Sequence, residues 1–350
     1  MTLRSFILSL RPLFSACLAV SLGLLAGSLL ALVAGEDPLK VIQVMVQGAF
    51  GTAHDRGMVL YFTTILICTG LAVAIPFQAG VFNIGAEGQT LMGAFACALT
   101  ALHLPADVSP MFGIGLSVTL AVLCAGLWGG IAGAIRAFRG GHEVIGSIML
   151  NFIAAGLTGW LVVGAFQSSD SQNPETALIA DHLKLSRWTS FDGSPATSAL
   201  MWSLSCAFMF WVVMQKTRVG LWLKTVNQSP DAAYVAGYRV ALIRFWVFFM
   251  GSAVCGLAGA AMVLGESGRF RLDMSEGFGF LGIPVALLGR GRPLGVVFSA
   301  FLFAALHHGA SALDIEATKV TRDLAQVIAA IVVLFVVAQH RYSETRGSAA

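Results

Sequence analysis

The sequence predicts an all-α polytopic membrane protein: about ten transmembrane helices in two inverted five-helix halves, each half interrupted by broken helices. Three observations predict this. Hydrophobic residues make up 57% of the 350 residues and charged ones 11%, with a mean hydropathy of +0.81. A soluble domain is usually about 45–50% apolar and about 25% charged, so this chain has too few charges to coat a water-facing surface. The apolar residues also gather into runs long enough for a hydrocarbon core of about 30 Å, and a glycine-rich cluster recurs a little over half the chain later. Composition alone speaks against a water-soluble enzyme, a disordered chain and a nucleic-acid binder.

The first run, Leu13 to Ala34, follows Arg4 and Arg11 and is long enough to span a bilayer. A signal-peptide core is usually about 7–15 residues and precedes no further spans, so this run reads as the first transmembrane helix. Further runs lie at about 57–75, 85–104, 110–135, 143–165, 197–214, 243–265, 279–289, 294–308 and 324–339. Those at 85–104, 279–289 and 294–308 are short or broken by glycine. The whole chain, 1–350, reads as one transmembrane domain. Its first half is 13–165, its inverted second half 197–339. Between them lies an extracytoplasmic loop, 166–196, rich in Ser, Asp and Asn, which is either a docking surface or a solvated connector. A short amphipathic helix is expected after Glu36-Asp37-Pro38.

Charge sorting supports an orientation. With both termini cytoplasmic, thirteen of the 21 basic residues fall inside, the expected bias. They are Arg4, Arg11, Arg136, Arg139, Lys216, Arg218, Lys224, Arg239, Arg244, Arg290, Arg292, Arg341 and Arg346. Of the acids, only Glu87, Glu143, Asp231 and Glu344 lie inside. The net charge of +3 adds nothing further.

Cys17, Cys68, Cys97, Cys124, Cys206 and Cys255 each sit in an apolar run without metal-ligand or CxxC spacing, which suits small buried hydrophobes. None of the five lysines (Lys40, Lys184, Lys216, Lys224, Lys319) follows a glycine. A phosphate-binding loop of the Gly-Lys-Ser/Thr kind is therefore absent, and any ATP-driven process needs another subunit.

The two glycine clusters read Gly80-Val-Phe-Asn83-Ile-Gly85-Ala-Glu87-Gly88-Gln89 and Gly277-Phe-Gly279-Phe-Leu-Gly282-Ile-Pro284. Gly80, Ile84, Gly85 and Leu91 match Gly277, Leu281, Gly282 and Leu288. Such interruptions free backbone N–H and C=O groups, which a membrane tolerates only where protein or a watery cavity satisfies them. Paired breaks in inverted halves point to a substrate path, and close helix packing by small residues is the alternative. The path candidates are Asn83, Gly85, Glu87, Gln89, Glu143, Asn151, Gly279 and Gly282. Ionisable groups inside a membrane are often functional, but a carboxylate can equally hold a broken segment by accepting its free N–H groups.

The longest cytoplasmic segment, 215–242, contains Gln228-Ser229-Pro230-Asp231-Ala232-Ala233-Tyr-Val-Ala-Gly237. Ser229 suits a helix N-cap, Pro230 the first helical position and Asp231 the positive end of the dipole. Ala232-Ala233 makes a thin face and Gly237 can end the helix. A short, smooth helix of this kind suits a groove on another protein.

Asp231-Ala232-Ala233-x3-Gly237 resembles the EAA-x3-G coupling-helix motif of ATP-binding-cassette importer permeases. Phe82-Asn83-Ile84-Gly85-Ala86-Glu87-Gly88-Gln89 resembles the FNIGAEGQ stretch of the nucleoside and simple-sugar permeases, within the larger branched-chain amino acid and ribose permease family. Glu143-Val144 with Ile148-Met149-Leu150-Asn151 is similar to the EV-x3-IMLN segment of that family. Gly279-Phe280-x-Gly282-Ile283-x-Val285-Ala286-Leu287-Leu288-Gly289 is similar to its GF-x-GI-x-VALLG segment. Two departures are small: Asp231 stands for the first Glu of EAA, and His142 stands where such permeases often carry Asn.

The resemblance covers about 40–310. It implies a transport subunit without its own ATPase, imports of nucleosides, purine nucleosides among them, or simple sugars, and alternating access. It further implies a place in the cell membrane and three protein partners: a cytoplasmic ATPase, a second and related permease subunit, and an extracytoplasmic substrate-binding lipoprotein. No cofactor is expected on this chain, ATP being used by the partner. The ATPase-coupling helix would comprise Ser229, Pro230, Asp231, Ala232, Ala233 and Gly237. Two other classes compete. An ion-coupled secondary transporter also uses inverted repeats, but the coupling motif and the sparse mid-span acids speak against it. A membrane enzyme lacks support from any HExxH, Gly-x-Ser-x-Gly or His/Asp cluster.

Overall fold

The computed structural model describes residues 37–313, together with Leu32, Gly35 and Val327. The expected first and last spans, 13–34 and 324–339, lie essentially outside these residues, as do Cys17 and the terminal charges. The regular structure of the described residues is helical, with two isolated β-bridges, Glu175–Arg271 and Arg187–Thr197. The helices are α1 (Pro38–Phe50), α2 (Ala53–Phe77), α3 (Ala86–His103), α4 (Pro110–Arg139), α5 (Glu143–Leu161) and α6 (Ala199–Lys216). They continue with α7 (Arg218–Gln228), α8 (Pro230–Val235), α9 (Val240–Ala261), α10 (Phe278–Leu288) and α11 (Pro293–Ser311). Both α5 and α9 run on into a π-helical turn, Val162–Phe166 and Met262–Ser267.

Six of the eight runs expected between 57 and 308 form helices long and apolar enough to cross a membrane. They are α2, α4, α5 with its π turn, α6, α9 with its π turn, and α11. The run at 85–104 forms α3, of 18 residues, which is not among the six. The run at 279–289 forms a helix of only 11 residues, α10. At 1.5 Å per residue α10 is about 16 Å long, half of a bilayer core. It is therefore a half-span and not the full span expected.

The chain divides into two compact units, Met1–Val59 with Leu302–Ala350, and Leu60–Phe301. In the first, Asp37 caps α1 by accepting the Leu39 N–H at 2.9 Å, where the amphipathic helix was expected. Thr52 and Asp55 cap α2 reciprocally: Thr52 Oγ1 accepts the Asp55 N–H at 3.1 Å, and Asp55 accepts the Thr52 N–H at 3.0 Å. Val41, Val44 and Met45 of α1 form an apolar cluster with Ala310 and Leu313.

The second unit contains parts of both sequence halves. Its centre is the packing of α9 against α4 and α3. Glycines allow the contact. A Cβ at Gly93 would lie 2.7 Å from the Gly256 Cα, and one at Gly133 2.7 Å from the Phe248 Cβ. Small residues let helix backbones approach where lipid offers no hydrophobic drive between helices. Cys97 and Cys255 are buried within this packing.

The 166–196 loop is held by the backbone. Thr176 N–H donates to the Phe270 carbonyl at 2.9 Å, Ile179 to Gly268 at 2.9 Å and Leu185 to Leu264 at 2.8 Å. Arg187 donates to the carbonyls of Gly265 and Glu266, Arg269 pairs with Glu175, and Ile179, Leu183 and Leu185 are buried. Despite its polar composition the segment packs part of its length over the end of α9.

Candidate functional site: two interlocked helix breaks

Between α2 and α3 the chain leaves the helix over Val81–Gly85, after Gly80 with a φ of +70°. Between α9 and α10 it does so over a longer stretch that ends at Gly277, with a φ of +81°. The matching glycines of the two clusters thus share the left-handed conformation that glycine adopts without strain. Beyond them the clusters differ. The second helix starts at once, at Phe278, whereas the first waits until Ala86.

A membrane break must account for its freed backbone groups, and here side chains take them up. Asn83 is fully buried and uses its whole bonding capacity. Its amide donates to the Ala72 carbonyl at 3.1 Å and to Gln89 Oε1 at 3.0 Å, while its oxygen accepts the Gly85 N–H at 2.9 Å and Gln89 Nε2 at 3.0 Å. Asn151, on α5, accepts the Gly88 N–H and donates to the Ile84 carbonyl, both at 2.9 Å. Ser147, one turn earlier, accepts the Ile84 N–H at 3.3 Å.

Glu87 faces the other break. One oxygen accepts Ser275 Oγ at 2.5 Å and the Gly277 N–H at 3.0 Å; the other accepts the Gly279 N–H at 2.8 Å. A carboxylate in the first turn of α3 therefore caps the N-terminus of α10 and offsets the positive ends of both helices. These bonds join the two breaks. At the far end of α10, Gln78 Nε2 donates to the Gly291 carbonyl at 3.0 Å. The stretch 78–87 and the helix 278–288 thus run side by side and antiparallel, tied at both ends.

The glycines are fitted to this contact. A Cβ at Gly279 would fall on the Glu87 backbone, and one at Gly282 would lie 2.6 Å from the Thr69 carbonyl. A Cβ at Gly85 would come within 2.7 Å of Gln89 Nε2. Glu143 stands apart, paired with Arg136 Nε at 3.2 Å where α4 meets α5. Asn83, Gly85, Glu87, Gln89, Asn151 and Gly279 therefore form one cluster; Gly282, further along α10, packs on Thr69 of α2, and Glu143 does not join the cluster. Ser147 and Ser275 were missed. Ser147 stands four residues before Asn151, a spacing that shares a helix face; nothing in the sequence near Ser275 signals its partner.

The expected coupling helix is α8. Ser229 Oγ accepts the Ala232 N–H at 3.2 Å, and Pro230 opens the helix. At the other end Tyr238 N–H donates to the Ala233 carbonyl at 3.0 Å and Gly237 N–H to the Tyr234 carbonyl at 2.9 Å. This is a Schellman ending, with Gly237 at a φ of +85°. Ala233 is buried, while Asp231 and Ala232 are exposed and Tyr234 and Val235 are 76% and 86% exposed.

A family profile described as branched-chain amino acid transport system / permease component matches residues 56–337. The chain belongs to that family. This permease is 31% identical over 337 residues to the glucose ABC transporter permease protein TsgB13 of Haloferax volcanii, covering 94% of this chain and 88% of that one. It is 32% identical over 342 residues to the guanosine ABC transporter permease protein NupP of Bacillus subtilis, covering 92% of each. A second guanosine permease protein of that organism, NupQ, is 27% identical over 252 residues, 70% of this chain and 77% of NupQ. The chain is thus a multi-pass membrane protein and an ABC importer permease, and the match runs through both breaks and α8.

Proposed function

We propose that this permease is one of two membrane-spanning subunits of an ATP-driven importer for nucleosides, purine nucleosides first, or simple sugars. The observation that carries the reading is the tie between the two breaks through Glu87, in a chain that also presents a short, capped and exposed helix, α8. We read the two helix ends that meet at a shared carboxylate as the element that rearranges in alternating access. A separate cytoplasmic ATPase docks on α8, where Tyr234 and Val235 await a partner. Closure of that ATPase moves α8, and the Schellman turn at Gly237 passes the motion into α9.

The polar side chains Asn83, Glu87, Gln89 and Asn151 of the breaks are occupied by backbone and by one another or Ser275, so they offer substrate few strong contacts. That supports selection by an extracytoplasmic binding lipoprotein, received at the 166–196 layer, while the excess of basic residues in the inner loops supports cytoplasmic termini. This chain binds no cofactor, and ATP is used by the ATPase subunit. The pair of guanosine permease relatives supports a second, related permease subunit. An open face on α5 supports it too: Ile145, Met149, Phe152, Gly156 and Trp160 recur at helical spacing and are exposed among the described residues, Trp160 being 71% exposed. The guanosine and glucose relatives frame the substrate class.

The test is uptake of labelled guanosine and labelled glucose in cells with and without this gene, each with the partner ATPase intact or inactivated. Guanosine uptake that requires both establishes the nucleoside reading. Glucose uptake with the same dependence keeps the mechanism and changes the substrate. Uptake that needs this gene and ignores the ATPase replaces the reading with a secondary transporter.

A further inference from the structure

A groove of about 780 Å³ runs between α6, α7 and α9 and reaches the turn after α8. Its walls are apolar, with Met209 from α6 and Trp246 and Met250 from α9, all three exposed. Among the described residues Arg239 is the one charged residue that lines it, and it is exposed. Beside Arg239 the rings of Trp222 and Tyr238 pair with centroids 6.1 Å apart. Lys216 and Arg218, also exposed, precede the groove residue Val219 at the same end.

Three features point to one class of occupant. The cavity size is that of a ligand site, typically about 300–1,000 Å³. Its polarity is confined to one end, where a cation and two aromatic rings gather, the composition of a membrane–water interface. From Arg239 to Val254 the wall rises about 22 Å along α9, more than one leaflet's half of a hydrocarbon core of about 30 Å. A sugar or nucleoside would leave most of its polar groups unpaired in such a groove. An acyl chain would not, and an anionic headgroup would find Arg239.

We propose that this groove binds an anionic phospholipid, its phosphate on Arg239 and an acyl chain along α9. The floor includes Gly237, the residue that ends α8. Bound lipid then braces the turn between α8 and α9, and membrane composition tunes the helix position. The proposal needs only a membrane-embedded chain and does not depend on the substrate reading.

The test uses the full-length chain in nanodiscs of phosphatidylcholine and phosphatidylglycerol in equal amounts, with retained lipid read by native mass spectrometry. Wild type is expected to retain phosphatidylglycerol over phosphatidylcholine, and Arg239→Gln to lower that retention about fivefold, as one interfacial cation contributes. Leu242→Trp, which fills the groove and keeps Arg239, is expected to lower it as well. Arg139→Gln, an exposed cation outside the groove, is expected to leave it unchanged. Equal retention of the two lipids by wild type, or unchanged retention by both groove variants, overturns the proposal. A photo-cross-linker at Met250 gives a second reading: lipid adducts support the site, and adducts to another protein chain or within this chain overturn it.

Discussion

Glu87 and Gly279 are 192 residues apart in sequence and joined by a hydrogen bond of 2.8 Å. With the Gly277 and Ser275 donors, that carboxylate holds the start of α10 from the first turn of α3. One side chain thus closes the backbone account of one break from within the other. Hydrogen bonds to a charged group contribute about 1.5–3 kcal/mol, and a buried donor left without a partner costs about 1–3 kcal/mol.

Glu87→Ala is therefore expected to abolish uptake and to lower the thermal midpoint of the purified chain, while Glu87→Gln, which keeps an acceptor, loses less stability. Thermal unfolding and uptake measured side by side check this. Wild-type values for Glu87→Ala would remove the interlock.

Asn151 and Ser147 hold the first break from α5. Asn151→Leu leaves the Gly88 N–H and the Ile84 carbonyl without those partners, at about 1–3 kcal/mol for each group. A marked fall in unfolding midpoint is expected, with a smaller one for Ser147→Ala, whose bond is longer at 3.3 Å. The reverse order would show that the break is held elsewhere.

Gly279→Ala places a methyl group on the Glu87 backbone, and overpacking of a tight contact costs about 1–3 kcal/mol. It is expected to impair uptake and stability together, as is Gly85→Leu. Gly115→Ala, where a Cβ meets nothing within 4 Å, is the matched control and is expected to be silent. Equal behaviour of Gly279→Ala and Gly115→Ala would refute the close approach.

At α8, Ser229→Ala removes the N-cap, typically worth about 1 kcal/mol. Asp231→Lys and Gly237→Trp leave the spans intact but alter the exposed face and its left-handed ending. Both are expected to insert normally and to uncouple ATP hydrolysis by the partner from uptake. ATPase activity and uptake in the same proteoliposomes check this, and normal coupling in both variants would take the docking role away from α8.

Much of the fold was legible because it is local. The runs from 57 to 308 became helices near their expected bounds, since apolar length and glycine or proline ends act within a few residues. The α8 caps at Ser229 and Gly237 were readable for the same reason. The likeness of Gly80 to Gly277 extended to their backbone angles, but the helix start after each differed, because what lies beyond a left-handed glycine depends on the partners available. Composition did not show how the loop at 166–196 packs: its Ser and Asp residues hid the apolar Ile179, Leu183 and Leu185, which find a surface only once α9 and its π turn are in place.

Sequence by itself determined that the chain lives in a membrane, that its apolar runs from 57 to 308 are helices, that two breaks interrupt them and that Ser229 and Gly237 bound a short helix. Low charge and apolar run length compel those features whatever the packing. Tertiary structure alone decided where the freed backbone groups of each break find partners: Asn83 turned on its own loop, Asn151 and Ser147 reaching from α5, and Glu87 crossing to Gly277 and Gly279. It also shortened α10 to a half-span. A buried N–H must be satisfied, but which residue satisfies it depends on which helices come to lie side by side.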